Sequence, residues 1–204
     1  AVRRHDSEPG NGEGLFSRIV DAWVDEAPGV RIRGIAMDVA LVHIASMSNL
    51  MAALGWAIVD LLVHPEQLRL VVGGDVDLAQ RCALESTRLA QRSIMARAVL
   101  ETVAFDTGAG VVDVPPGWTI ATLLPLLNTS VAPGLEQWNP DHWNRHRLAG
   151  AGALASPMLV TAFGHGRHSC PAQPFSLSAM TMAMTRLLGR YDMSPDWDEY
   201  PRPV

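Results

Sequence analysis

Phe163 to Ala172 reads FGHGRHSCPA, and this decapeptide concentrates more chemistry than any other stretch of the chain. It holds two glycines, Gly164 and Gly166, two histidines, His165 and His168, and Cys170, just ahead of a helical pattern that begins near Gln173. A cysteine close to a helix N-terminus faces backbone N–H groups and the positive end of the dipole. Both favour its thiolate, the form that a soft metal binds. The glycines let the backbone turn tightly and pass close to a flat ligand where a Cβ would collide. Two other readings stand beside a thiolate ligand. A zinc site would take His165, His168 and Cys170, but no matching ligand pair occurs elsewhere at the usual spacing. A buried structural cysteine in a turn is the plainer one.

Outward from this loop, the chain of 204 residues is 48% hydrophobic and 18% charged, enough apolar material for one sizeable core. A formal net charge of -5 supplies no global attraction for nucleic acid, so no such partner is expected. All 16 basic residues are arginine, from which no function follows. Cys82 and Cys170 form no disulfide framework and no secretory pattern opens the chain, so the expected compartment is the cytoplasm. Residues 1–14 are polar, charged and glycine-rich and read as a flexible leader or a truncated end.

Ile35 to Val63 is an almost unbroken apolar run, without a formal charge between Asp38 and Asp60. It meets the length test for a membrane span. Four polar residues within two turns, His43, Ser46, Ser48 and Asn49, favour a helix through the core of a soluble domain, and a membrane partner is not expected. His64-Pro65-Glu66 ends that helix, because proline disfavours helical geometry in the residue before it and suits the first turn of the next. A short helix over 65–72 ends at Gly73-Gly74, and another runs over about 76–92 with Glu85 and Arg88 on it. IMARAVLETVAF, GVVDV and WTIATLLPLL then read as strands separated by turns, residues 128–162 as loop, and about 173–190 as helix. The fold class is therefore mainly α with a small β-sheet, α+β.

The cysteine segment resembles the haem-binding loop of cytochromes P450, F-x-x-G-x-[HR]-x-C-x-G. Phe163, Gly166, His168 and Cys170 match it and Ala172 departs from it. The resemblance implies haem b as cofactor, with Cys170 as the axial thiolate, Gly164 and Gly166 letting the loop approach it, and His168 donating to a propionate. Glu85-Ser-Thr-Arg88 is similar to the family's E-x-x-R, and Arg97, twelve residues after Glu85, falls where a second propionate-binding arginine is often found. Glu85 and Arg88 are then structural. Trp138-Asn-Pro-Asp-His-Trp143 resembles the family's meander, but His142 stands where an arginine completes an ionic network with that pair. A histidine does not replace a forked arginine in full.

By the same resemblance, the apolar helix is the one that crosses the distal face of the haem. The usual A-G-x-[DE]-T-T then falls on Ala45-Ser46-Met47-Ser48-Asn49-Leu50, without the acid or the first threonine. Ala45, Ser46, Ser48 and Asn49 become the candidate catalytic residues. The string is similar to that of the group containing cholesterol 7α-hydroxylase and prostacyclin synthase, where an asparagine occupies this place. A purely structural asparagine within the helix is the other reading of Asn49. The match covers about residues 15–200, the C-terminal portion of the P450 fold, so a fragment of a larger protein or the product of a truncated gene is expected. The implied function is a bacterial-type soluble haem-thiolate monooxygenase acting on a bulky apolar substrate such as a sterol or lipid. Its electron donor would be of ferredoxin type, docked where Arg145, Arg147 and Arg167 supply positive charge; the other reading of these arginines is that they solvate a loop. The alternatives are an isomerase or dehydratase acting on a peroxide, and an inactive remnant without haem.

Overall fold

The computed structural model describes residues 14–201, so the leader expected over 1–14 lies, Gly14 apart, outside the described residues. The chain divides into two compact units, residues 1–52 and 53–204.

In the first unit, α1 (Leu15–Ala22) packs against α2 (Pro28–Ile44), which opens with a proline in its first turn. The Trp23 indole N–H donates to Asp38 Oδ2 at 2.7 Å. Its ring lies so close over Gly34 that a Cβ there would come within 2.4 Å of it. Val20 and Ile35 are buried. After α2 the helix widens into a π-turn, Ala45–Asn49, and continues as α3 (Leu50–Val63). The whole helical run, Pro28–Val63, is 36 residues long and by length and composition could cross a membrane. It is not the core helix expected from its apolarity. Met37, Leu41, Ile44, Met47 and Met51 are all more than half exposed. Along the run only Gly34, Ile35, Ala57, Asp60 and Leu61 are buried among the described residues. Apolarity sets the gain available from burial, but packing elements decide whether that gain is realised.

In the second unit, α4 (Pro65–Val72) closes at Gly73 and Gly74, the latter with φ +98°. Next, α5 (Val76–Ala90) begins at Asp75, whose carboxylate caps the Leu78 N–H at 2.9 Å. Strands β1 (Ile94–Ala98) and β4 (Thr119–Leu123) pair antiparallel, Ala96 opposite Ala121. Between them lies a second hairpin of β2 (Val103–Asp106) and β3 (Val111–Val114), with Phe105 opposite Val112. The strand expected through LLPLL stops at Leu123, and α6 (Leu124–Ser130) follows. Pro125 accounts for the change: it cannot donate within a ladder but fits the first turn of a helix. After α6 comes a long irregular stretch containing the short hairpin β5 (Trp143–Asn144) and β6 (Arg147–Leu148). Finally, α7 spans Gln173–Arg190.

The core of this unit is built on α5, which packs against α4, α6 and α7. Leu78, Ala79, Cys82, Ala83 and Leu84 of α5 are buried, as are Leu177, Met180, Met184 and Leu188 of α7. The α7 spacing of three, four and four residues places that set on one helical face. Each fully buried large side chain among them contributes roughly 1.5–3 kcal/mol relative to exposure.

Candidate functional site

The cysteine loop hangs from a buried asparagine. Asn128, on α6, is fully buried, and its amide accepts from the Thr161 N–H at 2.9 Å while donating to the Thr161 carbonyl at 2.9 Å. It also donates to the Arg88 carbonyl at 3.0 Å, so the chain entering the loop is bracketed to the end of α5. Sequence reasoning missed this residue, since an asparagine in an apolar run carries no signal of what it will bridge. From Thr161 onward the loop is closed by its own bonds. Thr161 Oγ1 accepts from Gly164 N–H at 2.6 Å, and His165 Nε2 lies 2.9 Å from the Val160 carbonyl. The Cys170 N–H donates to the Phe163 carbonyl at 2.7 Å, which draws the two ends of the loop together. Gly164 and Gly166 have φ of +79° and +62°, the left-handed region that favours glycine, and beside Gly166 a Cβ would meet nothing within 4 Å. Phe163 and Cys170 are half-buried. His168 ends a short 3-10 turn, Gly166–His168, and its side chain lies outside the described ones.

Of the three ligands the zinc reading names, the His168 side chain lies outside the described ones, and His165 Nε2 already meets the Val160 carbonyl. A single cysteine on an open, glycine-bent loop suits an iron whose remaining ligands come from a flat macrocycle. In that sense the donor set fits a haem.

Behind the loop, Glu85 and Arg88 are both fully buried and joined by a fork of 2.6 and 2.8 Å bonds. Arg88 also donates to the carbonyls of Asn128, Leu135 at 2.7 Å and Gln137 at 3.3 Å. Glu85 accepts from the Asn139 N–H at 3.0 Å, His142 Nδ1 at 2.8 Å and the Trp143 indole at 2.9 Å. Burial opposes the charge on Glu85. The Arg88 guanidinium, the Asn139 N–H and His142 outweigh it and hold the carboxyl below its ordinary range. Histidine thus supplies one bond where a forked arginine would supply two, as expected, and the neighbouring Trp143 indole supplies another that the sequence did not reveal. The pair acts as support, tying residues 135–143 of the meander (about 128–162) to α5.

Arg97 lies on β1 with an exposed side chain bonded to the Ala96 carbonyl at 3.1 Å and to Met95 Sδ at 2.8 Å. It forms no ion pair with an acid among the described residues. Arg145, Arg147 and Arg167 are exposed, and Arg145 sits at φ +56° in the β5–β6 turn. Ala45, Ser46, Ser48 and Asn49 fall in the π-turn of the first unit. Such turns interrupt the regular helical ladder and are frequent at functional positions. Ser46 donates to the carbonyls of Val42 at 2.7 Å and His43 at 3.1 Å, while Ser48 and Asn49 are exposed. Asn49 is therefore not the satisfied core asparagine of the alternative reading.

No protein-family model matches the chain. Among curated proteins it is 25% identical to human 24-hydroxycholesterol 7-alpha-hydroxylase, over 74% of this chain and 35% of that protein. It is 26% identical to cytochrome P450 165B3 of Amycolatopsis orientalis, over 93% of this chain and 43% of the relative. The chain thus spans less than half the length of these relatives. Among solved structures, the cytochrome P450DA haem domain aligns with a TM-score of 0.74 at 18% identity, covering 98% of this chain and 48% of the other. A six-coordinate cytochrome P450 of Thermus thermophilus aligns at 0.66 and 20% identity, over 89% of this chain and 48% of the other. The chain thus has the fold of part of a cytochrome P450, and the curated proteins it is similar to are cytochromes P450.

Proposed function

We propose that this chain is the haem-thiolate portion of a monooxygenase, with Cys170 as the axial ligand of haem b. The observation that carries this reading is the closed cysteine loop: the bond from the Cys170 N–H to the Phe163 carbonyl across two left-handed glycines. When bound, the haem would supply oxygen activation, assisted by the electron density its thiolate ligand provides. His168 and Arg97 would hold its propionates, Arg97 being exposed and without an acidic partner among the described residues. Asn49, with Ser48, Ser46 and Ala45, would line the reacting face. Its amide can donate to an oxygen but does not relay a proton at neutral pH as an acid–threonine pair does.

A bulky apolar substrate such as a sterol or lipid agrees with the name of the human relative and with the apolar helix that carries Asn49. The exposed arginines 145, 147 and 167 suit a ferredoxin-type donor, and the proposed compartment is the cytoplasm. The test is the absorbance of the reduced, CO-treated protein. The expected result is the thiolate-type band, lost in Cys170→Ala. A band that survives in that variant overturns the assignment.

A further inference from the structure

Away from the cysteine loop, α3, α5 and the segment after α7 converge on one buried acid. Asp60, on α3, is 3% exposed. Its carboxylate accepts from the Tyr200 hydroxyl, and Ser86 of α5 lies close enough to lower its pKa. Ser86 in turn accepts from the Trp138 indole at 3.0 Å. The Asp60 carbonyl meets His64 Nδ1 at 2.7 Å, and since a carbonyl only accepts, that nitrogen carries a proton. The His64 ring stacks on Trp138 with centroids 4.2 Å apart, and Trp56 stands 6.3 Å from the Tyr200 ring. Tyr200 is 140 residues from Asp60 in sequence and belongs to a stretch, 191–201, that forms no helix or strand.

We propose that Asp60 is a proton-operated latch for the 191–201 segment, gripping the Tyr200 hydroxyl as a carboxylate and loosening it once protonated. A hydrogen bond from a hydroxyl to a carboxylate is roughly twice as strong as one to a neutral acceptor. Tyr200 stays a donor across the neutral range, because burial and then Asp60 raise its phenol above the ordinary value. The groups facing Asp60 are His64 just beyond the end of its own helix, Glu85 and Cys82 on α5, and Tyr200. Burial raises the Asp60 carboxyl most. Ser86, Tyr200 and His64 pull it back, and the Glu85 charge adds to the rise.

Two pH responses of opposite sign follow, and they are separable. The raised carboxyl stabilises the whole fold below its unfolded value of 3.8, and that share is lost as pH climbs through the folded value. Docking of Tyr200 strengthens over the same climb. The chain has only two tyrosines, so Tyr200 is read directly by ring-labelled NMR of the full chain, with Tyr191 as internal control. From acid to mildly alkaline pH, the ratio of docked to undocked Tyr200, measured by its nuclear Overhauser contact to Trp56, is expected to rise severalfold, since the carboxylate is the stronger acceptor. In Asp60→Asn the ratio should be low and flat. In Tyr200→Phe, which keeps the ring, the Asp60 carboxyl midpoint should rise, because the donor that pulls it down is gone. A pH-independent Tyr200 signal in the wild type, or an unshifted Asp60 midpoint in Tyr200→Phe, overturns the proposal. The second measurement decides alone if Asp60→Asn does not fold.

Discussion

Replacing Arg88 with alanine is the sharpest test of how the meander is held. The side chain is fully buried, makes two bonds to Glu85 and donates to three carbonyls, so its removal strands one charge and three acceptors at once. Breaking a buried ion pair by deleting one partner costs about 3–5 kcal/mol. Glu85 keeps three donors, Asn139, His142 and Trp143, which moves the charge penalty toward the lower end. The carbonyls of Asn128 and Leu135, left without that donor, add about 1 kcal/mol each. About 5 kcal/mol is therefore expected, a large share of the roughly 5–15 kcal/mol typical of a whole domain. In urea unfolding at neutral pH this appears as a midpoint lowered by about 2 M. Arg88→Lys keeps the charge but not the fork and should fall between. The pH response gives a second check. Glu85 is held low in the wild type, so its stabilising share is present above its unfolded value of 4.5 and lost as pH falls through the folded value. Without Arg88, burial dominates, and that acid-side loss should shrink. A loss below about 1 kcal/mol in Arg88→Ala would refute the view that this pair anchors the meander.

Three further outcomes are expected. Gly34→Ala puts a methyl where the Trp23 ring already lies within 2.4 Å of a Cβ, and should cost about 1–3 kcal/mol with a changed Trp23 environment in fluorescence; an unchanged spectrum and stability would count against the packing described. Asn128→Ala removes three buried bonds that bracket Thr161 and Arg88, and should cost about 2–4 kcal/mol and raise the alkylation rate of Cys170; unaltered Cys170 reactivity would show that the loop does not depend on that bracket. Cys82, whose thiol burial pushes up to about 12, should resist alkylation in mildly alkaline buffer until the chain unfolds, and mass spectrometry that finds it modified in the native protein would contradict this.

What the sequence disclosed and what it withheld divide along the range of the interactions. The breaks at His64-Pro65 and Gly73-Gly74 and the helix from Gln173 to Arg190 rest on contacts within a few residues, and local chemistry names them. The cysteine loop was legible for the same reason, since its closing bond joins residues as near in sequence as Phe163 and Cys170. The start of α6 was misread because LLPLL satisfies strand and helix patterns equally until the position of its proline is weighed. Distance in sequence hid the rest. Nothing in the residue types says that the Trp143 indole will meet Glu85 across 58 positions, or that Asn128 will span 33 to Thr161.

Burial of the long apolar helix was withheld for a different reason. Its composition states how much free energy covering would release, about 25 cal/mol for each Å² of apolar surface removed from water. It does not name the element that does the covering. Met37, Leu41, Ile44, Met47 and Met51 remain exposed in the fold described, beside a π-turn that places Asn49 in solvent. The chemistry proposed for Asn49 requires a dry, shaped environment, because an amide steers an oxygen effectively only where water does not compete for the same bond. Polarity at Asn49 is therefore a sensitive reporter of that environment. A solvatochromic label at Asn49→Cys, read against a Cys82→Ala, Cys170→Ala background so that it reacts alone, should report water around it. A label that is already dry in the isolated chain would show that its exposure does not persist in solution.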